Sequence, residues 1–369
     1  MGALLNLLPL FIVLVLFNVS TSDYLPANFV FGDSLVDAGN NNYLVSFSKA
    51  NYVPNGIDFG RPTGRSGTGY GFNPTLFGTH HSWTSNSERC QLCFWWRWNS
   101  QFHWTNLYRD NLTSSYINNS VHALMDCQGG RLNFDAQIDN FANTRQDIIA
   151  SIGVPAALNL LNRSLFSVSI GSNDFINNYL TPSFSFSERE SESPQSFVAK
   201  MISKFRLQLT RLFNLGARKV VVANVGPIGC IPSQRDSNIG AGDSCVSFPN
   251  QLAQLYNSQL KDLITELNSN LEGSAFAYAD VYQILDDMLK NYVALGFVNP
   301  TSACCRVAGR YGGLVPCGPT SKVCWDRSTY VFWDPYHPTD AANVIVAENL
   351  LEGGSNYIWP RNIRGLLQT

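Results

Sequence analysis

The chain alternates short apolar segments with long amphipathic ones, and this alternation most restricts its possible folds. The first of four predicted strands begins at Phe29. The other three cover Leu165–Ile170, Lys219–Val225 and Ala275–Val281. The predicted helices are Asp135–Ile152, Pro194–Leu215, Phe248–Leu271, Gln283–Leu295 and Asp340–Leu351, the last with Thr339 as its N-cap. Strands separated by helices of this length form a parallel sheet with helices on both faces, so the sequence predicts an α/β fold.

Three of the four predicted strands end in polar turns that contain glycine. These turns are Gly32–Ser34, Gly171–Asp174 and Gly226–Cys230. Because the carboxyl ends of parallel strands share one edge of the sheet, a substrate crevice is expected there. Ser34 directly follows the first strand and is the candidate nucleophile. A Gly-Asp-Ser run alone is also compatible with an ordinary turn.

A second candidate feature lies on the proline-bent loop before the last predicted helix. It contains Asp334 and His337, three residues apart. An aspartate that orients a histidine, and a histidine that accepts a proton from serine, would complete a Ser-Asp-His triad with Ser34. A structural turn and half of a metal site are the alternatives. Four of the five histidines lie between residues 80 and 122, which leaves His337 without other clustered ligands, so no metal is expected.

The bulk composition excludes some classes of partner and predicts a compartment. The 369 residues are 45% hydrophobic with a net charge of −2 and no basic block, so neither nucleic-acid binding nor electrostatic membrane binding is expected. An apolar run from residue 3 to residue 17 is too short for a comfortable membrane span. Small residues follow it, which predicts a signal peptide over 1–22 and a secreted single domain over 23–369 without stable membrane insertion. Asn162–Ser164 is a glycosylation sequon that suits this compartment.

Taken together, four blocks resemble the plant-type GDSL esterase/lipases of the SGNH hydrolase superfamily. The blocks are Phe31–Ser34, Ile170–Asp174, Asn224–Cys230 and Asp334–Pro338. The resemblance covers about 23–65 and 129–369. It implies a flavodoxin-like three-layer sandwich and hydrolysis of lipid-type carboxylic esters through an acyl-enzyme, without a cofactor.

The resemblance also implies residue roles. Ser34 would attack the ester carbonyl, His337 would act as general base and then acid, and Asp334 would orient His337. The backbone N–H of Ser34 and the side-chain amide of Asn173 would form the oxyanion hole. Six cysteines lie in the matching part and suit three disulfides, of which only one pair, Cys230 with Cys245, is suggested.

The segment from about residue 66 to residue 128 departs from this family. It contains Cys90, Cys93 and Cys127, five of the eight tryptophans and four of the five histidines. Read one base later with permitted codons, residues 90–107 encode VNYASGGGGILNFTGQI, which is the glycine-containing strand block that the family has and this chain lacks. We therefore interpret about 74–107 as translated in the wrong frame. The expected consequence is the loss of one strand, one helix and one oxyanion donor.

These expectations leave several functions open. The first is a secreted esterase or lipase. The second is a catalytically impaired secreted homologue with a binding role, which the missing glycine block favours. The third is an acyltransferase that passes the acyl group to an alcohol instead of water.

Overall fold

The computed structural model describes residues 25–36, 52–59, 132–180, 192–238, 240 and 242–368. Within these ranges the chain forms an α/β fold around one main sheet. The strands are β1 Asn28–Gly32, β2 Leu165–Ser169, β3 Lys219–Ala223, β4 Ala275–Ala279, β5 Asn299–Ala303, β6 Cys305–Arg306, β7 Lys322–Val323, β8 Tyr330–Phe332 and β9 Ile358–Trp359. The helices are α1 Phe134–Ile152, α2 Val154–Arg163, α3 Pro194–Asn214, α4 Pro232–Ser237, α5 Ser247–Asn270, α6 Val281–Lys290, α7 Asp340–Glu352 and α8 Ile363–Leu367.

The main sheet has the order β1-β2-β3-β4-β9. Its first four strands are parallel and in continuous register, which aligns Gly32, Ser169 and Ala223 with Ala279 at one edge. The last strand, β9, pairs with β4 in the antiparallel direction. The parallel register places the turns after β1, β2 and β3 side by side, as the sequence predicts.

Alternating strand residues bury the two faces of the sheet in separate cores. On one face Val220 and Val222 of β3 belong to a core built with α1, α3 and α5. On the other face Val221 and Ala223 belong to a core built with α6, α7 and α8. Because side chains of a strand point alternately to its two faces, a run of small and β-branched residues can fill both layers. The three-layer α/β architecture is confirmed.

The predicted elements are confirmed with small changes in their bounds. The helix predicted over Gln283–Leu295 is wrong at both ends, since α6 covers Val281–Lys290 and the chain then turns. Asp280 caps α6 by accepting from the N–H of Gln283, which explains the earlier start. Thr339 accepts from the N–H of Ala342 and is the N-cap of α7, as predicted.

Three disulfides are present in the described ranges. Cys230–Cys245 is the pair suggested by the sequence, and the others are Cys304–Cys324 and Cys305–Cys317. The last two join segments next to the parallel pair of β5 and β8. The predicted signal peptide over 1–22, the strand interpreted as missing, and the cysteines Cys90, Cys93 and Cys127 lie outside the described residues.

Candidate active site

The chain makes a tight turn directly after β1. The N–H of Asp33 donates to the carbonyl of Ser169 at 3.1 Å, and Ser34 begins a single 3-10 turn, Ser34–Val36. A Cβ atom on Gly32 would lie 2.2 Å from the carbonyl oxygen of Ser169. Only glycine therefore lets β1 approach β2 closely enough at this point to project Ser34 from the edge of the sheet.

The loop after β8 is braced on both sides. The N–H of Trp333 donates to the carbonyl of His337 at 2.8 Å, and the N–H of Thr339 donates to Val331 at 2.9 Å. The carboxylate of Asp334 accepts from the backbone N–H groups of Tyr336 and His337, each at 2.8 Å. A proline on each side of the Tyr336–His337 pair further limits the backbone, so the loop has few ways to move.

The turn after β1 and the loop after β8 bring three predicted residues into contact. The Nε2 atom of His337 lies 2.6 Å from the Oγ atom of Ser34. Its Nδ1 atom lies 2.9 and 2.8 Å from the two carboxylate oxygens of Asp334. This is the distance pattern that activates a serine hydroxyl, with the histidine between the serine and the carboxylate.

The electrostatics of the contact favour a charged carboxylate beside the imidazole. Burial lowers the pKa of His337, but the charge of Asp334 and the hydrogen bond to it outweigh burial, so that the net pKa lies above its usual value. Burial raises the pKa of Asp334. The charge of His337 and the hydrogen bonds that the Asp334 carboxylate accepts outweigh burial, so that the pKa of Asp334 lies below its usual value. Asp334 is therefore ionised wherever His337 titrates.

The turn after β2 presents an amide to the same site. Gly171 has a positive φ of 124°, and the chain then enters a π-helical segment, Asp174–Tyr179. The Oδ1 atom of Asn173 accepts from the Nδ2 atom of Asn177 at 2.8 Å. The Nδ2 atom of Asn173 is buried and has no hydrogen-bond partner among the residues that the structure describes. A buried donor without a partner costs stability, which is typical of a group whose partner is a ligand.

Asp33 adds a second carboxylate to the site. The sequence analysis did not identify this residue as a site residue. It is 1% exposed, and its Oδ1 atom accepts from the N–H of Leu35 at 3.1 Å. Its Oδ2 atom is buried without a hydrogen-bond partner in the described ranges. Burial raises the pKa of Asp33 to about 6, although the hydrogen bond from Leu35 and the charge of His337 act in the opposite direction.

These groups open into a cavity of about 60 Å³. Ser34, Asn173 and His337 form its polar end. Its apolar lining includes Ile176, Ile228, Ile231, Leu285, Leu289 and Phe332. The arrangement of one hydroxyl, one imidazole and one amide against an apolar wall suits a substrate with a polar reacting group and an apolar body.

No group of three or more His, Cys, Asp or Glu side chains with metal-binding proximity occurs among the described residues. None of the helices that the structure describes is both long enough and apolar enough to span a bilayer.

Comparison with known proteins agrees with the site. Residues 29–350 match the GDSL-like lipase/acylhydrolase family. The chain is 54% identical over 342 residues to the GDSL esterase/lipase At4g16230 of Arabidopsis thaliana, covering 93% of this chain and 91% of that protein. It is 43% identical over 355 residues to the GDSL esterase/lipase At3g50400 of the same plant, covering 92% of this chain and 90% of that protein. With a match of this extent, the chain belongs to the GDSL-like lipase/acylhydrolase family, a family of ester hydrolases.

Proposed function

We propose that this chain is a secreted serine esterase that cleaves lipid-type carboxylic esters through an acyl-enzyme on Ser34. The observation that carries the proposal is the continuous contact from Asp334 through His337 to the Ser34 hydroxyl, at 2.8 and 2.6 Å. Family membership supports ester cleavage, and the contact supports serine as the nucleophile.

In the first half of the proposed reaction, the Ser34 oxygen bonds to the ester carbonyl carbon while its proton passes to Nε2 of His337. The negative charge that develops on the carbonyl oxygen is held by the backbone N–H of Ser34 and by Nδ2 of Asn173. The tetrahedral intermediate then breaks its bond to the alcohol oxygen, and His337 returns the proton to that alcohol. The product is an ester of Ser34.

In the second half, water takes the place of Ser34 as nucleophile. His337 accepts the proton of the water, and the new oxyanion uses the same two donors. The bond to Ser34 breaks, His337 reprotonates the serine oxygen, and a carboxylic acid leaves. Throughout, Asp334 holds the imidazole ring in one orientation and stabilises its charged form. The charges and protons balance without a cofactor.

The apolar wall of the cavity supports the acyl or alcohol part of a lipid-type ester as the substrate. The side chains of Ile228, Leu285 and Leu289 offer it no hydrogen-bonding groups. A substrate that binds there gains chiefly from the removal of apolar surface from water, at about 25 cal/mol per Å².

Hydrolysis of p-nitrophenyl acetate and butyrate by the purified chain tests this function. We expect turnover in the wild type and its loss in Ser34→Ala and His337→Ala. Ser167→Ala is the matched control, because its hydroxyl lies in neighbouring β2 and bonds to Asn28 instead of to the site. Equal turnover in Ser34→Ala and the wild type would overturn the assignment. A wild type with no turnover above the uncatalysed rate would favour the impaired homologue, and ester exchange with an added alcohol would favour acyl transfer.

Secretion and glycosylation form part of the same proposal. Asn162 is exposed at the end of α2, within the Asn162–Ser164 sequon. Expression of the full chain in a eukaryotic secretory host should release protein into the medium. Treatment with an N-glycosidase should then lower its apparent mass, and the decrease should be smaller in Asn162→Gln, which keeps, beyond residue 22, only the sequons at 111–113 and 118–120. Retention of the chain inside the cell would contradict secretion.

A further inference from the structure

The backbone groups of Gly32 face away from the sheet. In a parallel pair the N–H and C=O of alternate residues point to opposite edges of the strand. The carbonyl of Ala27 accepts from Leu165, and the N–H of Asp33 donates to Ser169, so residues of odd number in β1 face β2. Gly32 therefore directs both of its backbone groups toward the outer side of β1.

A side chain occupies that outer side. The Nε2 atom of Gln137 donates to the carbonyl of Gly32 at 2.9 Å, and its Oε1 atom accepts from the N–H of Gly32, also at 2.9 Å. The remaining hydrogen of the Gln137 amide goes to the carbonyl of Leu132 at 3.1 Å. Gln137 is 0% exposed. Its amide thus reproduces, for this one residue, the pair of hydrogen bonds that a neighbouring strand would make.

The helix that carries Gln137 is itself firmly placed. Asn133 caps α1 by accepting from the N–H of Ala136 at 2.9 Å. Phe134 and Phe141 pack edge-on against Phe31, with ring centroids 6.0 and 5.8 Å apart. Because α1 is anchored by its cap and by these rings, the Gln137 amide has little freedom to follow a movement of β1.

From this geometry we infer that Gln137 is a positioning residue for the nucleophile: its side-chain amide fixes the backbone of Gly32 and thereby sets the place of Ser34 against His337. The inference rests on the proposed function of Ser34. Only Asp33 lies between the clamped glycine and Ser34, and the Ser34–His337 distance of 2.6 Å leaves little tolerance for displacement. A misplacement on the order of 1 Å can lower turnover by about 100-fold.

Two matched substitutions test the inference by kinetics on p-nitrophenyl butyrate. Gln137→Met keeps the length of the side chain but removes both hydrogen bonds to Gly32. We expect kcat to fall by about 10- to 100-fold with little change in KM, because the reacting hydroxyl moves while the apolar wall does not. The control is Gln208→Met. Gln208 is also buried on a helix, and its amide bonds to Asp135 instead of to the nucleophile turn. The Gln208→Met substitution should lower the melting temperature and leave kcat unchanged.

A second variant separates positioning from simple loss of stability. Gln137→Glu can accept from the N–H of Gly32, but it can donate to the carbonyl only when protonated. Burial should raise the pKa of the introduced carboxyl. The ratio of kcat in Gln137→Glu to kcat in the wild type should therefore rise as the pH falls from about 8 to about 5, because the carboxyl becomes protonated and can donate. The ratio cancels the titration of His337, which both proteins share.

The outcomes are distinct. A wild-type kcat in folded Gln137→Met, or a flat ratio for Gln137→Glu, overturns the positioning role. Failure of both variants to fold assigns Gln137 to stability alone and also overturns it. If the wild type itself shows no turnover beyond that of Ser34→Ala, the proposed function fails, which is a separate result.

Discussion

The Nδ2 atom of Asn177 donates to the Oδ1 atom of Asn173 at 2.8 Å, and this contact decides which end of the Asn173 amide faces the cavity. With its oxygen held by Asn177, Asn173 presents its nitrogen as a donor. The two residues are four apart, a spacing that brings side chains of one helical segment together. Asn177 thus orients the amide that we propose as an oxyanion donor, and it does not itself line the cavity.

Substitution of Asn177 by alanine should lower kcat by about 10-fold, because the Asn173 amide loses the partner that orients it. Asn173→Ala removes the donor altogether and should cost about 100- to 1000-fold. Steady-state kinetics on a p-nitrophenyl ester measures both. If the two residues act as one unit, the double variant will be no slower than Asn173→Ala, whereas multiplicative losses would show that they act separately.

Asp33→Asn should move the acidic limb of the kcat/KM profile to lower pH. The charge of Asp33 contributes to the raised pKa of His337, so its removal makes protonation of the imidazole less favourable. Because His337 acts as a base only when neutral, activity should persist to a lower pH in the variant. A pH–rate series measures the shift. Asp262→Asn, on the exposed side of α5, removes one carboxylate elsewhere and should leave the limb in place.

The same residue should affect stability in a defined pH window. Since burial raises the pKa of Asp33 to about 6, the folded chain binds the proton more tightly than the unfolded chain does. The favourable contribution of protonated Asp33 is therefore complete below about pH 4 and is lost as the pH rises through about 6. As the pH rises across this window, thermal unfolding should show a smaller loss of stability in Asp33→Asn than in the wild type. Parallel curves for the two proteins would contradict the burial argument.

Gly32→Ala should abolish turnover while leaving most of the helical content. The added methyl would lie 2.2 Å from the carbonyl oxygen of Ser169, which is a backbone atom and cannot rotate away, so the end of β1 must separate from β2. A shift of this size should lower kcat by at least about 100-fold. Gly318→Ala is the control, because a Cβ there meets no atom within 4 Å. Circular dichroism and kinetics on both variants check the expectation, which an active Gly32→Ala protein would refute.

Removal of the Cys304–Cys324 disulfide should weaken both stability and turnover. The bridge closes a separation of 20 residues and lies where the N–H of Cys304 donates to Phe332 at 3.0 Å. Phe332 ends β8 and directly precedes the loop with Asp334 and His337. Chain-entropy arguments give a loss of about 3 kcal/mol for a loop of this size. Calorimetry and kinetics on the Cys304→Ala/Cys324→Ala variant should show lower values of Tm and kcat, whereas exposed Lys322→Ala should change neither.

Sequence patterns predicted the parallel sheet because each of its four parallel strands is a short, nearly continuous apolar run, and three of the four predicted strands end in polar turns. They also pointed to Ser34, Asp334 and His337, since few other residues combine these chemistries at strand ends. The helix α2 was missed. It has only ten residues and follows α1 directly, with Gly153 before it and Pro155 in its first turn, so that this stretch is typical of the end of one helix as well as of the start of another.

Other features could not be predicted from the sequence, and each has a physical reason. The strand β9 has only two residues, too few to show a period. Cys304 and Cys305 are adjacent, so spacing could not decide which of them pairs with Cys317 and which with Cys324. Gln137 carries no motif at all, because its importance depends on the outer edge of β1 lying beside the first turn of α1.

The Ser34 and His337 side chains meet across 303 positions of the sequence. A ribosome therefore makes the would-be nucleophile early and the would-be base only after almost all of the sheet strands have been synthesised. In any nascent or truncated product that stops between these two residues, Ser34 lacks its base, so its hydroxyl is an ordinary, weakly reactive one. Under the proposed mechanism, ester cleavage can therefore begin only when synthesis has passed residue 337 and the two ends of the site have come together.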